Sequence, residues 1–130
     1  MGLKYVWDTN TVIYYLQNSF PAAGEIFIDE AVNNYPPVIS IVTEIELLCW
    51  RHATQADIAN IKEFVANAVV YDLDQNIKSQ TISIRKQTNL KLPDAIIAAT
   101  AVVNNLTLIS RNTIDFRKIE DIDLIDPFNL

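Results

Sequence analysis

Apolar residues recur along this chain in two rhythms, short unbroken runs and longer segments at three- and four-residue spacing. The first run, Leu3 to Trp7, predicts a strand. Val12, Ile13 and Leu16 predict a helix over Thr11 to Gln17, capped by Asp8 or Thr9 and broken by Ser19-Phe20-Pro21. A second helix is expected from Ala22 to Asn33, with Ile26, Phe27 and Val32 inward. Pro37 to Ile39 predicts a short buried strand. Ser40 then opens a helix to about Arg51, with Ile41, Ile45, Leu48 and Cys49 as its buried stripe.

Thr54 starts a helix over Gln55 to Asn67, in which Ile58, Ile61, Phe64 and Val65 have helical spacing. Val69 to Tyr71 is the next strand. Asp74 to Thr88 reads as a polar-faced helix carrying Ile77, Ile82 and Ile84. Pro93 suits the first turn of a helix that runs to about Asn104 and is apolar almost all round, hence buried. Leu106 to Ile109 and Asp123 to Ile125 are the last strands. Strands alternating with helices predict an α/β fold in one domain over residues 1–130: a central, mostly parallel sheet of about five short strands flanked by helices.

Composition narrows the chemistry. The chain has 130 residues, half of them apolar and a fifth charged, which is ordinary globular composition. No apolar run reaches the ~20 residues of a membrane span, and the first residues lack a signal-peptide layout. A cytoplasmic protein is the expectation. One cysteine, Cys49, excludes a disulfide framework and is expected in the core; one histidine excludes a histidine-rich metal site. Only Gly2 and Gly24 are present, which excludes glycine-rich phosphate loops. The net charge of −6 counts against a typical nucleic-acid surface, unless acids are gathered around a cation.

Four acids stand at strand ends or at helix starts beside them. Asp8 follows the first strand; its commonplace role is a helix N-cap. Glu46 can complete a capping box with Thr43, or lie in the second turn of a helix begun at Ser40. Spacing leaves Glu44 and Glu46 open, because residues two apart cannot share a helix face. Asp94 opens the most apolar helix, whose packing fixes its position. Asp115 lies in the loop expected after the fourth strand. An oxygen-only donor set suits Mg²⁺ or Mn²⁺ and phosphate chemistry.

Four segments then stand in order over essentially the whole chain: Asp8-Thr9-Asn10-Thr11; Ser40-x-x-Thr43-x-x-Glu46-Leu47; Pro93-Asp94-Ala95-x-Ile97-Ala98-Ala99-x-Ala101; and Ser110-Arg111-Asn112-x-x-Asp115-Phe116. Together they resemble the PIN-domain family, and most closely its VapC-type toxins. The resemblance implies a PIN-like three-layer fold and a Mg²⁺- or Mn²⁺-dependent endoribonuclease. It implies Asp8, Glu46, Asp94 and Asp115 as catalytic, metal-binding acids, selects Glu46 over Glu44, and makes Asn10 and Asn112 supporting polar residues. It further implies an RNA substrate (tRNA among the candidates), a cognate antitoxin and a homodimer. Leu48-Cys49-Trp50-Arg51 departs from the glycine that often follows the Glu-Leu pair in the family. Arg111 is a candidate phosphate contact, set against the commoner role of a surface arginine. Lys86 and Lys91 have the same two readings.

Two rivals differ in class. A haloacid-dehalogenase-like phosphatase would use Asp8 as nucleophile but wants an acid where Asn10 stands. A degenerate PIN-like module would bind a partner without catalysis.

Overall fold

A computed structural model describes residues 2–130. Its centre is a five-stranded sheet in the order β3-β2-β1-β4-β5, with β1 Tyr5–Trp7, β2 Val38–Ser40, β3 Val69–Tyr71, β4 Thr107–Ile109 and β5 Leu124–Ile125. Each neighbouring pair is parallel, so the sheet is wholly rather than mostly parallel. The helices are α1 Thr9–Leu16, α2 Ala22–Asn34, α3 Ile41–Leu48, α4 Gln55–Asn67, α5 Gln75–Gln87, α6 Leu92–Val103 and α7 Thr113–Phe116. No helix is long and apolar enough to cross a membrane among the described residues.

Strand alternation builds two cores. Tyr5, Trp7, Ile39 and Ile109 face one side, against Val12, Ile28, Leu47, Ile61 and Phe64. Val6, Val38 and Leu108 face the other, against Ile77, Ile84, Ile97, Ala98 and Phe116. The result is a helix–sheet–helix sandwich, as expected. Successive side chains point to opposite faces, so these strands, covered on both sides, are apolar at every position but Ser40 and Thr107.

The chain runs outward from β1 to β3, then crosses back to place β4 on the other side of β1. The order reverses at β1, and the crevice beyond the carboxyl ends of β1 and β4 is the ordinary ligand position of such sheets. Asp8 follows β1 directly and Ser110 follows β4 directly.

Several expectations are corrected. In α2, Ile26 is 63% exposed, and the buried positions are Gly24, Ile28 and Ala31. This helix seats Gly24 on the backbone of Pro127, where a Cβ would lie 2.1 Å from the carbonyl oxygen. In α3 the inward residues are Thr43 and Leu47, while Ile45 is 55% and Leu48 47% exposed. That helix stops at Leu48, short of Arg51, and Cys49 is an exposed C-cap, not a core residue. Asp115 lies in the short helix α7 rather than in a loop.

Candidate active site

Asp8 is the N-cap of α1. Its Oδ1 accepts from the backbone N–H of Thr9 at 2.8 Å, and its Oδ2 accepts from the Ser110 hydroxyl at 2.8 Å. The Asp8 N–H donates to Ile109 O at 3.1 Å, which ties the residue to β4. The Thr11 hydroxyl donates to the same carbonyl at 2.8 Å. These bonds hold a carboxylate that is only 6% exposed.

Among the described residues, no cation pairs with Asp8. Burial raises its pKa from the ordinary 3.8 to about 6; nearby Asp94 and Glu46 push the same way, against the hydrogen bonds from Ser110 and Thr9. Asp94 lies in the first turn of α6, whose next seven residues, Ala95 to Ala101, are buried. Its pKa is also raised, by partial burial first, then by Glu46 and Asp115, with Lys91 opposing. These repulsions link all four predicted acids across four separate elements. An acid and its like-charged neighbour each disfavour the other's ionisation.

Glu46 is placed by hydroxyls. The Thr9 hydroxyl lies 2.7 Å from Glu46 Oε1 and 3.0 Å from Thr43 Oγ1. A hydroxyl carries one proton, so Thr9 donates to the carboxylate and accepts from Thr43. The Thr43–Glu46 capping box does not form; Ser40 caps α3, accepting from Val42 N at 3.1 Å. Asp115 Oδ2 accepts from Asn112 Nδ2 at 3.1 Å, and Lys118 Nζ stands 3.8 Å from Oδ1. Asn112 therefore serves Asp115. Asn10 is exposed, and the groups that orient Asp8 are Ser110 and Thr9 instead.

Among the described residues, no three His, Cys, Asp or Glu side chains are close enough, as placed, to hold a metal ion. The chemistry of the donor set nevertheless fits a hard divalent cation. It is all oxygen, it carries excess negative charge, and its best-buried member is destabilised by that charge. A groove of about 680 Å³ lined by Tyr15, Asp29, Val32, Asn60 and Phe64 contains none of the four acids. Volume does not mark the site here; convergent charge does.

The sequence gives Thr9, Thr43 and Ser110 a place in caps or motifs but no functional role. The available signal was position: Thr9 and Ser110 are hydroxyl residues at or beside the carboxyl ends of strands.

A family profile described as PIN domain matches residues 5–122. The chain belongs to the PIN domain family, which displaces the haloacid-dehalogenase-like alternative. Solved structures narrow the likeness. DNA-bound VapBC from Salmonella typhimurium is 25% identical with a TM-score of 0.81, covering 96% of this chain and 98% of that one. A toxin–antitoxin complex from Klebsiella pneumoniae is 26% identical with a TM-score of 0.75, covering 98% and 100%. VapBC-1 from nontypeable Haemophilus influenzae is 25% identical with a TM-score of 0.78, covering 98% of each. No match was found among curated proteins. Within its family the chain resembles the VapC-type toxins, and the two findings together support a toxin nuclease of a toxin–antitoxin pair.

Proposed function

We propose that this chain is a divalent-metal-dependent endoribonuclease, acting in the cytoplasm as the toxin of a toxin–antitoxin pair. The observation that carries this reading is Asp8, a carboxylate buried at the open edge of the central strand among other acids, with its pKa raised to about 6. A helix cap needs neither that burial nor those neighbours. Gathering like charges where they oppose folding is what a cation site requires.

Asp8, Glu46, Asp94 and Asp115 would hold the ion, Mg²⁺ or Mn²⁺. Such an ion, when bound, offsets charge on the phosphoryl oxygens and lowers the pKa of a water. The chain's own residues do the positioning. Ser110 and the Thr9 N–H fix the two oxygens of Asp8, leaving each a further lone pair. The Thr9 hydroxyl fixes Glu46 through one oxygen. Asp94 is held by the packing of α6, and Asn112 holds Asp115. Asn10, exposed on the first turn of α1, is free to bind water or RNA.

RNA is the proposed substrate, with tRNA among the candidates. A cognate antitoxin is the proposed inhibitor, supported by the VapBC structures it resembles, and a homodimer is the proposed assembly. The test is cleavage of total RNA and of tRNA by purified protein with Mg²⁺ or Mn²⁺, with and without EDTA, beside Asp94→Asn. Cutting that needs metal and is lost in the variant is the expected result. Equal cutting by parent and variant would overturn the assignment, and no cutting by either would favour the binding-only module.

A further inference from the structure

Arg111 has an unusual setting. It is exposed, and its guanidinium carbon lies 4.1 Å from the centre of the Phe128 ring and 5.8 Å from that of Tyr14. Its Nη1 stands 3.5 Å from the Tyr14 hydroxyl oxygen. The salt bridge found among the described residues joins Lys118 to Asp115, so no carboxylate takes Arg111 in a chain with sixteen acids. Lys118 differs in this respect, since it pairs with Asp115, and Lys91 lies near enough to Asp94 to lower its pKa.

The platform under Arg111 is built from distant parts of the chain. Phe128 packs edge-on against Tyr14 at 4.8 Å and lies 5.5 Å from Phe20. Its N–H donates to Asp126 Oδ1 at 2.9 Å. The preceding Pro127 backbone rests on Gly24 of α2. A guanidinium lying on a ring offers its face to the ring and keeps its N–H edge for another partner. Its five donors form a planar fork that matches two oxygens of a phosphate.

Position gives the fork a use. Arg111 stands between Ser110, which holds Asp8, and Asn112, which holds Asp115. A polyanion approaching a cluster of carboxylates needs positive charge beside it; Lys118 is paired with Asp115, and the charge of Lys91 acts on Asp94. We infer that Arg111 is a phosphate-binding residue that seats the RNA backbone beside the acids, and that Phe128 positions it. This rests on the reading of the chain as an enzyme that acts on RNA.

The test is RNA binding in the Asp94→Asn background, so that cleavage does not enter. The probes are a fluorescein-labelled single-stranded RNA of mixed sequence and a labelled tRNA pool, titrated at several salt concentrations. Arg111→Gln removes the charge but keeps a planar amide able to lie on Phe128. It is expected to weaken binding roughly tenfold and to flatten the dependence of log K on log salt by about 0.7. Phe128→Leu keeps the charge and most of the apolar contact; it is expected to weaken binding severalfold with the parental salt slope. Thermal unfolding of both variants near the parent's temperature would confirm that the fold is intact. Parental affinity and slope in Arg111→Gln would overturn the inference alone, leaving the nuclease assignment standing. An RNA-binding parent that never cuts would remove the nuclease reading and leave the phosphate site. A parent that binds neither probe would overturn both.

Discussion

The Ser110 hydroxyl donates to Asp8 Oδ2 at 2.8 Å, joining two residues 102 positions apart in sequence. The same Ser110 oxygen accepts the N–H of Asn112 at 3.0 Å. One hydroxyl thus couples the acid after β1 to the turn after β4, across the reversal in strand order. It also connects, through Asn112, to Asp115. The bond is buried, so its loss is not repaired by bulk water.

Ser110→Ala should therefore injure activity more than fold. Loss of a group that orients a ligand costs roughly 10- to 100-fold in activity or metal affinity. Stability should fall by about 1–2 kcal/mol, the ordinary cost of an unsatisfied buried partner. The Ser110 bond lowers the Asp8 pKa, so its removal raises that pKa further. The acid limb of the pH–rate profile should move to higher pH. Cleavage assayed from pH 5 to 9 beside urea unfolding checks this, and an unchanged profile would deny Ser110 its positioning role.

Asp8→Asn should abolish cleavage and stabilise the protein at neutral pH. The Asp8 pKa is raised from 3.8 to about 6 on folding. Between these values the folded chain binds more protons than the unfolded one. The Asp8 contribution is thus most favourable below the unfolded pKa and is lost as pH rises through the folded pKa. The full cost at pH 7 is about 3 kcal/mol. An amide avoids that ionisation, and a gain of about 2 kcal/mol is expected. Mg²⁺ should raise the melting temperature of the parent and not of the variant. A destabilised Asp8→Asn at pH 7 would mark the carboxylate as a structural cap.

Glu46 and Glu44 should separate. Glu46→Gln is expected to lower cleavage by about 100-fold or more, because Glu46 meets Thr9 and repels Asp8 and Asp94. Glu44→Gln should stay within about twofold, as a charge change away from the cluster is screened by salt. Single-turnover rates with one RNA substrate decide it. Equal losses in the two variants would mean that α3 presents a different face to the site.

Gly24→Ala should destabilise the fold, although alanine is the better helix former. Helix propensity favours the change by about 1 kcal/mol. The new Cβ, however, would lie 2.1 Å from the carbonyl oxygen of Pro127, a backbone atom that cannot rotate away. Overpacking of that kind costs about 1–3 kcal/mol. Urea unfolding should show a lower midpoint with an unchanged slope. A stabilised variant would show that the C-terminal segment shifts freely.

Much of this protein was legible from sequence because local chemistry is strong where it counts. Asp8 after an apolar run is a candidate cap and forms as one, and Thr54 starts α4 as expected; the structure adds Asp57 to its cap and makes Asp74, expected as the first residue of α5, the N-cap of that helix. Alternating strands and helices determined the parallel three-layer architecture, and Asp94 in the first turn of an almost wholly apolar helix determined where one acid must sit. Periodicity failed where a short helix is apolar on several sides. Eight residues rich in Ile, Val and Leu define a period but no phase, so α3 turns Thr43 and Leu47 inward and leaves Ile45 and Leu48 outside. Only packing against the rest of the molecule chooses that phase. Likewise, nothing local ties Ser110 to Asp8 or Thr9 to Glu46. Those bonds exist because the strand order sets β4 beside β1 and α3 beside α1, and it is this tertiary placement that turns separate acids into one charged cluster.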